Sequence, residues 1–527
     1  MDTPDRSARS ERAVIDPDTP WYQTPFFGRV IALAFPPLGL VLLRANRNLT
    51  RRHRMLAAGA LILYLVPYTV AVLWLLVALG GLQVEWRGGL GPSLVRRKTT
   101  PNYLELETDR AAQEARLAQA APTAPAPDAY WTDFRGPRRD GHYTEQPILT
   151  EWPAQGPPVL WRQPCGGGYA SFVVGQGHAF TIEQRRDEEA VVAYDLDTGI
   201  ELWAHRYPAR FNHWMGGEGP RATPTYHQGL IYSLGAAGEL CCLGAANGRL
   251  LWRKDILADN GAANLLHGMA TSPLIVDDRV IVLAGDAAPG KSVVAYHRLT
   301  GARIWSVLDD KQAYASPLLT DLAGRQQIVI ASATRVAGLN PEDGALLWDY
   351  RWRVPNDNSI CSPLIIGTNR FLISAGYGAG CALVEIARGA NGLSATEIWR
   401  NRNLKNKFNP SVVWQNHAYG LDEGVLCCVD LDTGQRRWRD GRYGYGQLLL
   451  ASGHLIILSG EGQLILVRAD PLGLVELARV HALSGKTWNV PALAHGRLLV
   501  RNGAAMACFD LRPFGALTPE GASKPAP

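Results

Sequence analysis

The feature that most constrains this chain is a repeat in which an apolar run, a turn containing glycine and a tryptophan follow one another. In five copies the tryptophan stands four residues after the glycine, and these copies end at Trp203, Trp252, Trp305, Trp348 and Trp438. Two degenerate copies end at Trp399 and Leu477, and successive copies are 39 to 53 residues apart. A period of this length accommodates a four-stranded sheet with loops of variable length.

Local chemistry explains why each unit forms strands and a tight turn. The turns read DLDTG, AANG, RLTG and PEDG, where Asp, Asn or Thr side chains accept backbone N–H groups and glycine adopts a positive φ at low cost. Runs such as RVIVLAG and GHLIILSG are expected to form half-buried antiparallel strands. Each tryptophan is expected to bury its ring between adjacent units.

The two ends of the repeat region determine the number of units. Seven units end near residues 203, 252, 305, 348, 399, 438 and 477, and an eighth, TWNVPALAHGRLLVRNGAAMACFDL, lacks its tryptophan strand. The missing strand is available upstream, in PPVLW ending at Trp161. Closing the ring with that strand removes an open sheet edge. We therefore predict an all-β, eight-bladed β-propeller over residues 131–513, preceded by an N-terminal transmembrane helix region.

The N-terminal part of the chain predicts a membrane segment. Residues 55–82 contain no charged residue and would extend roughly 42 Å as a helix, which is enough to cross a bilayer with tilt. The stretch 26–43 is either a short span or a re-entrant hairpin. Five arginines at 44, 47, 51, 52 and 54 predict that the intervening loop stays cytoplasmic. The propeller is then expected on the periplasmic side of a bacterial inner (cytoplasmic) membrane.

The remaining segments connect or extend these regions. Residues 1–25 are a polar tail, residues 83–130 a juxtamembrane segment and residues 514–527 a tail predicted to be disordered. Within the juxtamembrane segment, residues 103–120 have the composition of a helix, and the Ala/Pro-rich stretch 121–129 is typical of a semi-stiff tether. This tether is expected to hold the propeller away from the bilayer.

Charge and cysteine content exclude some classes of function. The net charge of +5 is small for 527 residues, and the basic run lies beside apolar segments, so nucleic-acid binding is not expected. The eight cysteines all lie in the predicted propeller at irregular spacings inside apolar runs, which predicts buried thiols and no metal site. No catalytic motif of a hydrolase, P-loop enzyme or metalloprotease is present.

Ligand contacts are expected at the mouth of the axial channel, just before the innermost strand of each blade. These residues combine cationic, amide and aromatic groups, which suits an anionic or planar ligand. They are Arg221, His267, Tyr314, Asn358, Lys407, Asn409, Tyr445, Trp488 and Asn489. The competing interpretation is that these groups bond to one another and to channel water. No His or Cys stands at a ligand spacing from His267, so no metal is expected there.

The AxDxxTGxxxW unit resembles the pyrroloquinoline-quinone-like (PQQ-like) propeller repeat. That repeat occurs in quinoprotein alcohol dehydrogenases and in a non-enzymatic lipoprotein of outer-membrane β-barrel assembly. The opening WTDFRGPRRDG at 131–141 is similar to the start of a bacterial group of such repeat proteins, and the resemblance covers about residues 131–513. Arg135 of this segment could contact a ligand, but an arginine in a Gly/Pro turn more often anchors the turn, so Arg135 is expected to fix it to the propeller surface.

The resemblance implies two functions. In the first, the chain is a membrane-anchored binding or scaffolding module of the cell envelope, whose partners are envelope proteins or a small ligand at the axis, and no cofactor is expected. In the second, it is a quinoprotein dehydrogenase, which implies PQQ and calcium, a catalytic Asp and a vicinal disulfide over the quinone. The adjacent cysteines Cys241-Cys242 and Cys427-Cys428 could in principle form such a disulfide. Both pairs are predicted to lie within strands, where neighbouring side chains point to opposite faces, so a bond between them would need a distorted backbone and buried free thiols are favoured.

Overall fold

The computed structural model describes residues 50–88, 93–96, 98–117, 128–285 and 290–513, together with the single positions 30, 35, 38, 41 and 288. The tail 1–25, nearly all of the stretch 26–43, most of the 121–129 tether and the tail 514–527 lie outside the described residues. The chain divides into two compact units, one made of residues 1–85 and 92–97 and the other of residues 86–91 and 98–527.

The first unit contains one long apolar helix, α1 (Arg51–Leu79). It begins four residues before the predicted start because Thr50 caps it by accepting the backbone N–H of His53. Pro67 lies inside the helix. By length and composition, Arg51–Val77 is sufficient to cross a membrane. Strands Gln83–Glu85 and Ser93–Val95 pair in an antiparallel ladder after the helix.

The second unit is built from eight four-stranded antiparallel sheets, the blades, and the prediction of an eight-bladed propeller is confirmed. The strands of each blade are given from the innermost outwards. Blade 1 contains Val173–Gly175, His178–Arg185, Glu188–Asp195 and Glu201–Pro208, and blade 2 contains Thr225–His227, Leu230–Leu234, Glu239–Gly244 and Leu250–Asp255. Blade 3 contains Leu274–Val276, Arg279–Leu283, Val293–His297 and Arg303–Val307, and blade 4 contains Leu318–Leu322, Arg325–Ala331, Arg335–Leu339 and Leu346–Arg351. Blade 5 contains Leu364–Ile366, Arg370–Ala375, Gly380–Gly389 and Gly392–Asn401, and blade 6 contains Val412–Trp414, His417–Asp422, Val425–Asp430 and Arg436–Arg442. Blade 7 contains Gln447–Ala451, His454–Leu458, Gln463–Arg468 and Val475–His481, and blade 8 contains Ala492–Ala494, Arg497–Arg501, Ala505–Asp510 and Val159–Pro164.

Blade 8 closes the ring as the sequence predicts. Its outermost strand, Val159–Pro164, comes from the N-terminal side of the propeller and pairs with Ala505–Asp510, so that Trp161 lies opposite Cys508. This mixed blade joins the two ends of the domain with a ladder of backbone hydrogen bonds, and neither end is left as an open edge.

The tryptophan and the glycine of the repeat belong to a contact between neighbouring blades. The indole of Trp203 in blade 1 donates to the carbonyl of Ala245 in the turn of blade 2, at 2.9 Å. A Cβ added to Gly248 of that turn would lie 2.4 Å from the Trp203 ring. The same indole-to-carbonyl bond recurs from Trp161, Trp252, Trp399 and Trp438 to the next blade. The repeat spacing therefore fixes how one blade packs against the next.

The FRGP turn lies inside the axial channel, which corrects the expectation that Arg135 anchors it to the propeller surface. Arg135 is 1 % exposed and donates to the carbonyls of Pro410 and Ser411, before the innermost strand of blade 6. Arg139 is 5 % exposed and donates to the carbonyls of Pro273 and Pro317, before those of blades 3 and 4. A single segment reaches all three blades only on the axis.

The residues around this turn complete a plug, which we define as residues 130–143. Its carbonyls at Trp131 and Thr132 accept the backbone N–H groups of Val174 in blade 1 and Tyr226 in blade 2. Its end, His142–Tyr143, pairs in parallel with the innermost strand of blade 7. Backbone groups that a channel would leave to water are thus paired with the plug.

Two short helices lie on the propeller. Helix α2 (Tyr103–Leu117) lies across the junction of blades 8 and 1, where Arg110 donates to Glu201 of blade 1 and to the carbonyl of Pro164 of blade 8. Helix α3 (Ile256–Asn260) follows blade 2, capped by Asp255, and a 3-10 turn spans Pro355–Asp357. A small hairpin pairs Asn212–His213 with Gly217–Glu218.

Candidate functional site

A cavity of about 620 Å³ opens at the end of the axis where the innermost strands begin. Phe134 of the plug lies in its wall, so the plug closes the cavity towards the channel. This volume falls within the range of about 300 to 1,000 Å³ that is usual for ligand pockets. Its lining is mostly aromatic and aliphatic, with a few cations and amides.

The structure places six of the nine predicted contact residues on the cavity wall. They are Arg221, His267, Tyr314, Asn358, Lys407 and Trp488. Tyr445 lies directly behind the wall, where its ring contacts Phe408 at 5.7 Å between centroids. That these residues bind a ligand stays a prediction, but they share one cavity because each stands just before an innermost strand.

Asn409 and Asn489 do not line the cavity. Asn489 is fully buried and donates to the carbonyls of Gly168 and Ala170, while the Asn409 side chain accepts the backbone N–H of Lys407. Successive side chains of an extended segment point in opposite directions. Since Trp488 lines the cavity, Asn489 faces away from it and holds the loop.

Arg221 is half-buried and, among the described residues, has no counter-ion for its charge. One terminal nitrogen of its guanidinium donates to the Gly217 carbonyl at 2.7 Å, and the other, Nη1, is buried and has no hydrogen-bond partner among the residues that the structure describes. Its Cζ lies 4.5 Å from the Phe211 ring centroid and 5.5 Å from that of Tyr169. Burial lowers the pKa of Arg221 to about 10, so it remains a cation at neutral pH.

Two lysines continue the positive charge around the mouth. Lys486 is 6 % exposed, and its ammonium lies 4.5 Å from the Trp488 ring centroid and 5.4 Å from that of Tyr169. The Lys407 ammonium lies 4.6 Å from the Tyr445 ring centroid, and burial lowers its pKa. Stacking on rings stabilises a cation that has been removed from water.

These groups form one continuous series of ring and cation contacts beside the cavity, which we call the cation–aromatic arc. It runs from blade 2 through blades 1, 8 and 7 to blade 6. Its members, each in contact with the next, are Arg221, Tyr169, Lys486, Trp488, Phe408, Tyr445 and Lys407. Within the described residues, none of its three cations has a carboxylate in ion-pair contact. The other cation on the wall, Lys311, is paired with Asp357 at 3.0 Å. The uncompensated charge therefore lies on one half of the cavity.

The opposite half, from blades 3 to 5, is neutral. His267 lies edge-on to His213, with ring centroids 4.6 Å apart. Burial, together with His213 and Arg221, lowers the pKa of His267 to about 4, so it is uncharged at neutral pH. The backbone N–H of His267 donates to the Tyr314 hydroxyl at 3.4 Å.

Several residues of the site were missed by the sequence prediction. Tyr169 had a usable signal, because Tyr-Ala-Ser at 169–171 repeats Tyr-Ala-Ser at 314–316 before another innermost strand. Lys486 lies two residues before Trp488 and is distinguished only by its burial. Trp86 and Gly88 also line the cavity, and no pattern in the sequence connects them with it.

The residues present do not match the site that PQQ and calcium would need. In the part of the chain that the structure describes, no three His, Cys, Asp or Glu side chains converge to hold a metal ion. Asp357, the carboxylate on the wall, is engaged by Lys311. The arc alone would suit a flat anionic molecule, but the carboxylate and calcium parts of the quinone site do not fit.

The vicinal cysteines are buried thiols away from the cavity. Cys241 packs in the core between blades 1 and 2, and Cys242 packs in the core between blades 2 and 3. Both are free, as are Cys427 and Cys428 in the equivalent strand of blade 6. Burial raises the pKa of each of these thiols above its usual value.

Comparison with known proteins supports the PQQ-like repeat resemblance. Residues 187–440 match the family model described as outer membrane protein assembly factor BamB. A protein of that name from Moranella endobia (strain PCIT) is 24 % identical over 261 residues, which are 47 % of this chain and 64 % of the relative. The chain thus spans less than two thirds of this relative's length. The resemblance to PQQ-like repeat proteins is confirmed.

Solved structures show the same fold. A europium-containing methanol dehydrogenase is 13 % identical, with a TM-score of 0.50, over 73 % of this chain and 98 % of its own. A quinohemoprotein alcohol dehydrogenase from Comamonas testosteroni is 13 % identical, with a TM-score of 0.50, over 76 % of this chain and 84 % of its own. At this identity the likeness concerns the fold alone.

Proposed function

We propose that this PQQ-like repeat propeller is a binding module of the bacterial cell envelope that captures a protein partner at the mouth of its axial cavity. The relative from Moranella endobia is named as an outer membrane protein assembly factor, and the same setting is proposed here. Helix α1 anchors the chain in the cytoplasmic membrane, and the propeller is periplasmic. The five arginines from 44 to 54 support that orientation.

The observation that carries the proposal is the uncompensated charge of the cation–aromatic arc. Removing a cation from water without a counter-ion has a cost in folding free energy. The presence of three such cations beside a cavity of about 620 Å³ is explained if an anionic group of a partner pairs with them. The plug blocks the channel behind the cavity, which supports capture at one face.

Photo-crosslinking in intact cells tests this function. A photoreactive amino acid at Leu266, which is 67 % exposed on the cavity rim, should capture envelope protein in wild-type cells. Capture should fall by about tenfold in Arg221→Gln, since one charged contact is lost. Arg210→Gln is the matched control, because Arg210 is exposed and pairs with the exposed Asp187. Equal capture by wild type and Arg221→Gln, with the control unchanged, would contradict the proposal.

A quinoprotein dehydrogenase is the second candidate, and the flat cationic wall of the arc is the observation that favours it. Purified protein titrated with PQQ and calcium should show saturable binding if this second function is correct. Binding of PQQ that does not depend on calcium would mark the arc as an anion site without the metal chemistry of the dehydrogenases. Absence of binding eliminates the enzyme.

A further inference from the structure

A short piece of this chain already occupies part of the mouth. We call Trp86, Arg87 and Gly88 the strap. The Gly88 carbonyl accepts a hydrogen bond from the Lys407 ammonium at 2.5 Å, and a Cβ added to Gly88 would lie 2.5 Å from the Tyr445 ring. Trp86 lies edge-on to Trp214, with ring centroids 6.0 Å apart. The strap thus contacts the mouth with one carbonyl and one indole, and its Arg87 lies 3.5 Å from Glu461 of blade 7.

The strap satisfies only a part of what the mouth offers. It gives a neutral carbonyl to Lys407, whereas Arg221 Nη1 has no partner and Lys486 has no ion pair within the described residues. On the rim, Trp214 remains 77 % exposed even with Trp86 against it. An occupant with carboxylates in place of the carbonyl, and with an aromatic side chain for Trp214, would use the site more fully.

We infer that the mouth binds an acidic peptide segment containing an aromatic residue, and that the strap is an internal stand-in which this peptide displaces. The inference rests on the proposed function and specifies the class of partner. A peptide is favoured because the present occupant is a peptide that binds through its backbone and its indole. An acidic peptide is favoured because the three cations of the arc have no counter-ion in the part of the chain that the structure describes.

Competition between strap and partner follows from this arrangement. The free partner encounters a mouth whose Lys407 is engaged by Gly88, so its apparent affinity is lowered by the fraction of molecules in which the strap is docked. Weakening the strap should therefore strengthen partner binding, and weakening the arc should do the opposite. These opposite signs distinguish the inference from a general loss of structure.

Fluorescence anisotropy on the full chain in detergent micelles tests it. The probe is a short fluorescein-labelled peptide with a central tryptophan followed by two aspartates. We expect saturable binding that weakens about tenfold when asparagines replace the aspartates, and again when alanine replaces the tryptophan. Affinity should also fall as salt screens the charges, a readout that needs no variant.

Three variants complete the experiment. Arg221→Gln and Lys486→Gln should each weaken the peptide about tenfold, and Trp86→Ala should tighten it about threefold or more by releasing the strap. Arg210→Gln, whose exposed side chain pairs with Asp187 and is not part of the arc, should leave the affinity unchanged. If Arg221→Gln does not fold, Trp86→Ala and the salt titration still decide.

Three results would overturn the inference. They are equal affinity for the aspartate and asparagine peptides, unchanged or weaker binding by Trp86→Ala, and full competition by millimolar inorganic phosphate, which would identify a small-anion site. If these appear while crosslinking at Leu266 still depends on Arg221, the envelope function stands and the peptide class is wrong. If the peptide binds as expected but nothing is captured in cells, the envelope function is wrong.

Discussion

In each of the five clean repeat copies, the turn glycine is required by two blades at once. Gly248 has a φ of 65°, and a Cβ there would meet the Trp203 ring of the preceding blade. Within one repeat the turn accounts for the glycine and burial accounts for the tryptophan, but the contact between these residues joins different repeats. A pattern within one repeat cannot reveal a contact made with the next.

Gly248→Ala should therefore lower the free energy of unfolding by about 2 to 4 kcal/mol, from backbone strain plus overpacking against the indole. Gly229→Ala is the matched control, with a φ of 78° and nothing within 4 Å of the added Cβ, and should cost only about 1 kcal/mol. Denaturant unfolding of the full chain followed by tryptophan fluorescence measures both. Equal losses would show that the indole contact is unimportant.

His267 makes the stability of the fold depend on pH. Its pKa is about 4 in the folded protein and about 6.5 when unfolded. Above pH 6.5 neither state is protonated, whereas between pH 6.5 and 4 the unfolded chain binds a proton that the folded chain does not. Acid should therefore destabilise the fold in that window, and the loss should level off below pH 4.

Thermal unfolding of wild type and His267→Gln at pH 7 and pH 4.5 checks this expectation. On acidification the melting temperature of the wild-type protein should fall further than that of the variant, because the variant lacks the titrating ring. The same loss in both proteins would mean that His267 does not contribute.

At the scale of elements, the blades were predictable and the segments lying on them were not. The blade count and the closing strand followed from a pattern repeated many times. Helix α2 was expected as part of a connection, but the structure docks it on the junction of blades 8 and 1 through Arg110. Its amphipathic composition predicts a helix but does not identify the surface that receives it.

Arg110→Gln should cost about 3 kcal/mol of unfolding free energy, because it breaks a buried ion pair with Glu201 and a bond to the Pro164 carbonyl. Glu107→Gln on the same helix is the control. Glu107 and Arg186 are 2.6 Å apart, but both are exposed, so their ion pair should contribute nothing measurable to the free energy of unfolding. Urea unfolding compares the two. Similar losses would indicate that α2 is stabilised by something other than this buried contact.

At the scale of the whole molecule, the position of the site was predictable while its detail was not. Because every blade enters the axis at the same point of its repeat, residues before the innermost strands were expected to meet, and six of them share the cavity. Asn409 and Asn489 were placed one residue out of phase, facing away from it. The plug and the strap come from outside the repeat, where periodicity gives no information.

The plug and the mixed blade also set the order of events during folding. His142–Tyr143 waits for the strand at Gln447–Ala451, and Val159–Pro164 waits for Ala505–Asp510, which leaves the ribosome more than 300 residues later. Contacts of such long sequence separation form slowly. We therefore expect the ring to close only after blade 8 has been synthesised, with the early blades exposed and prone to aggregation in the meantime.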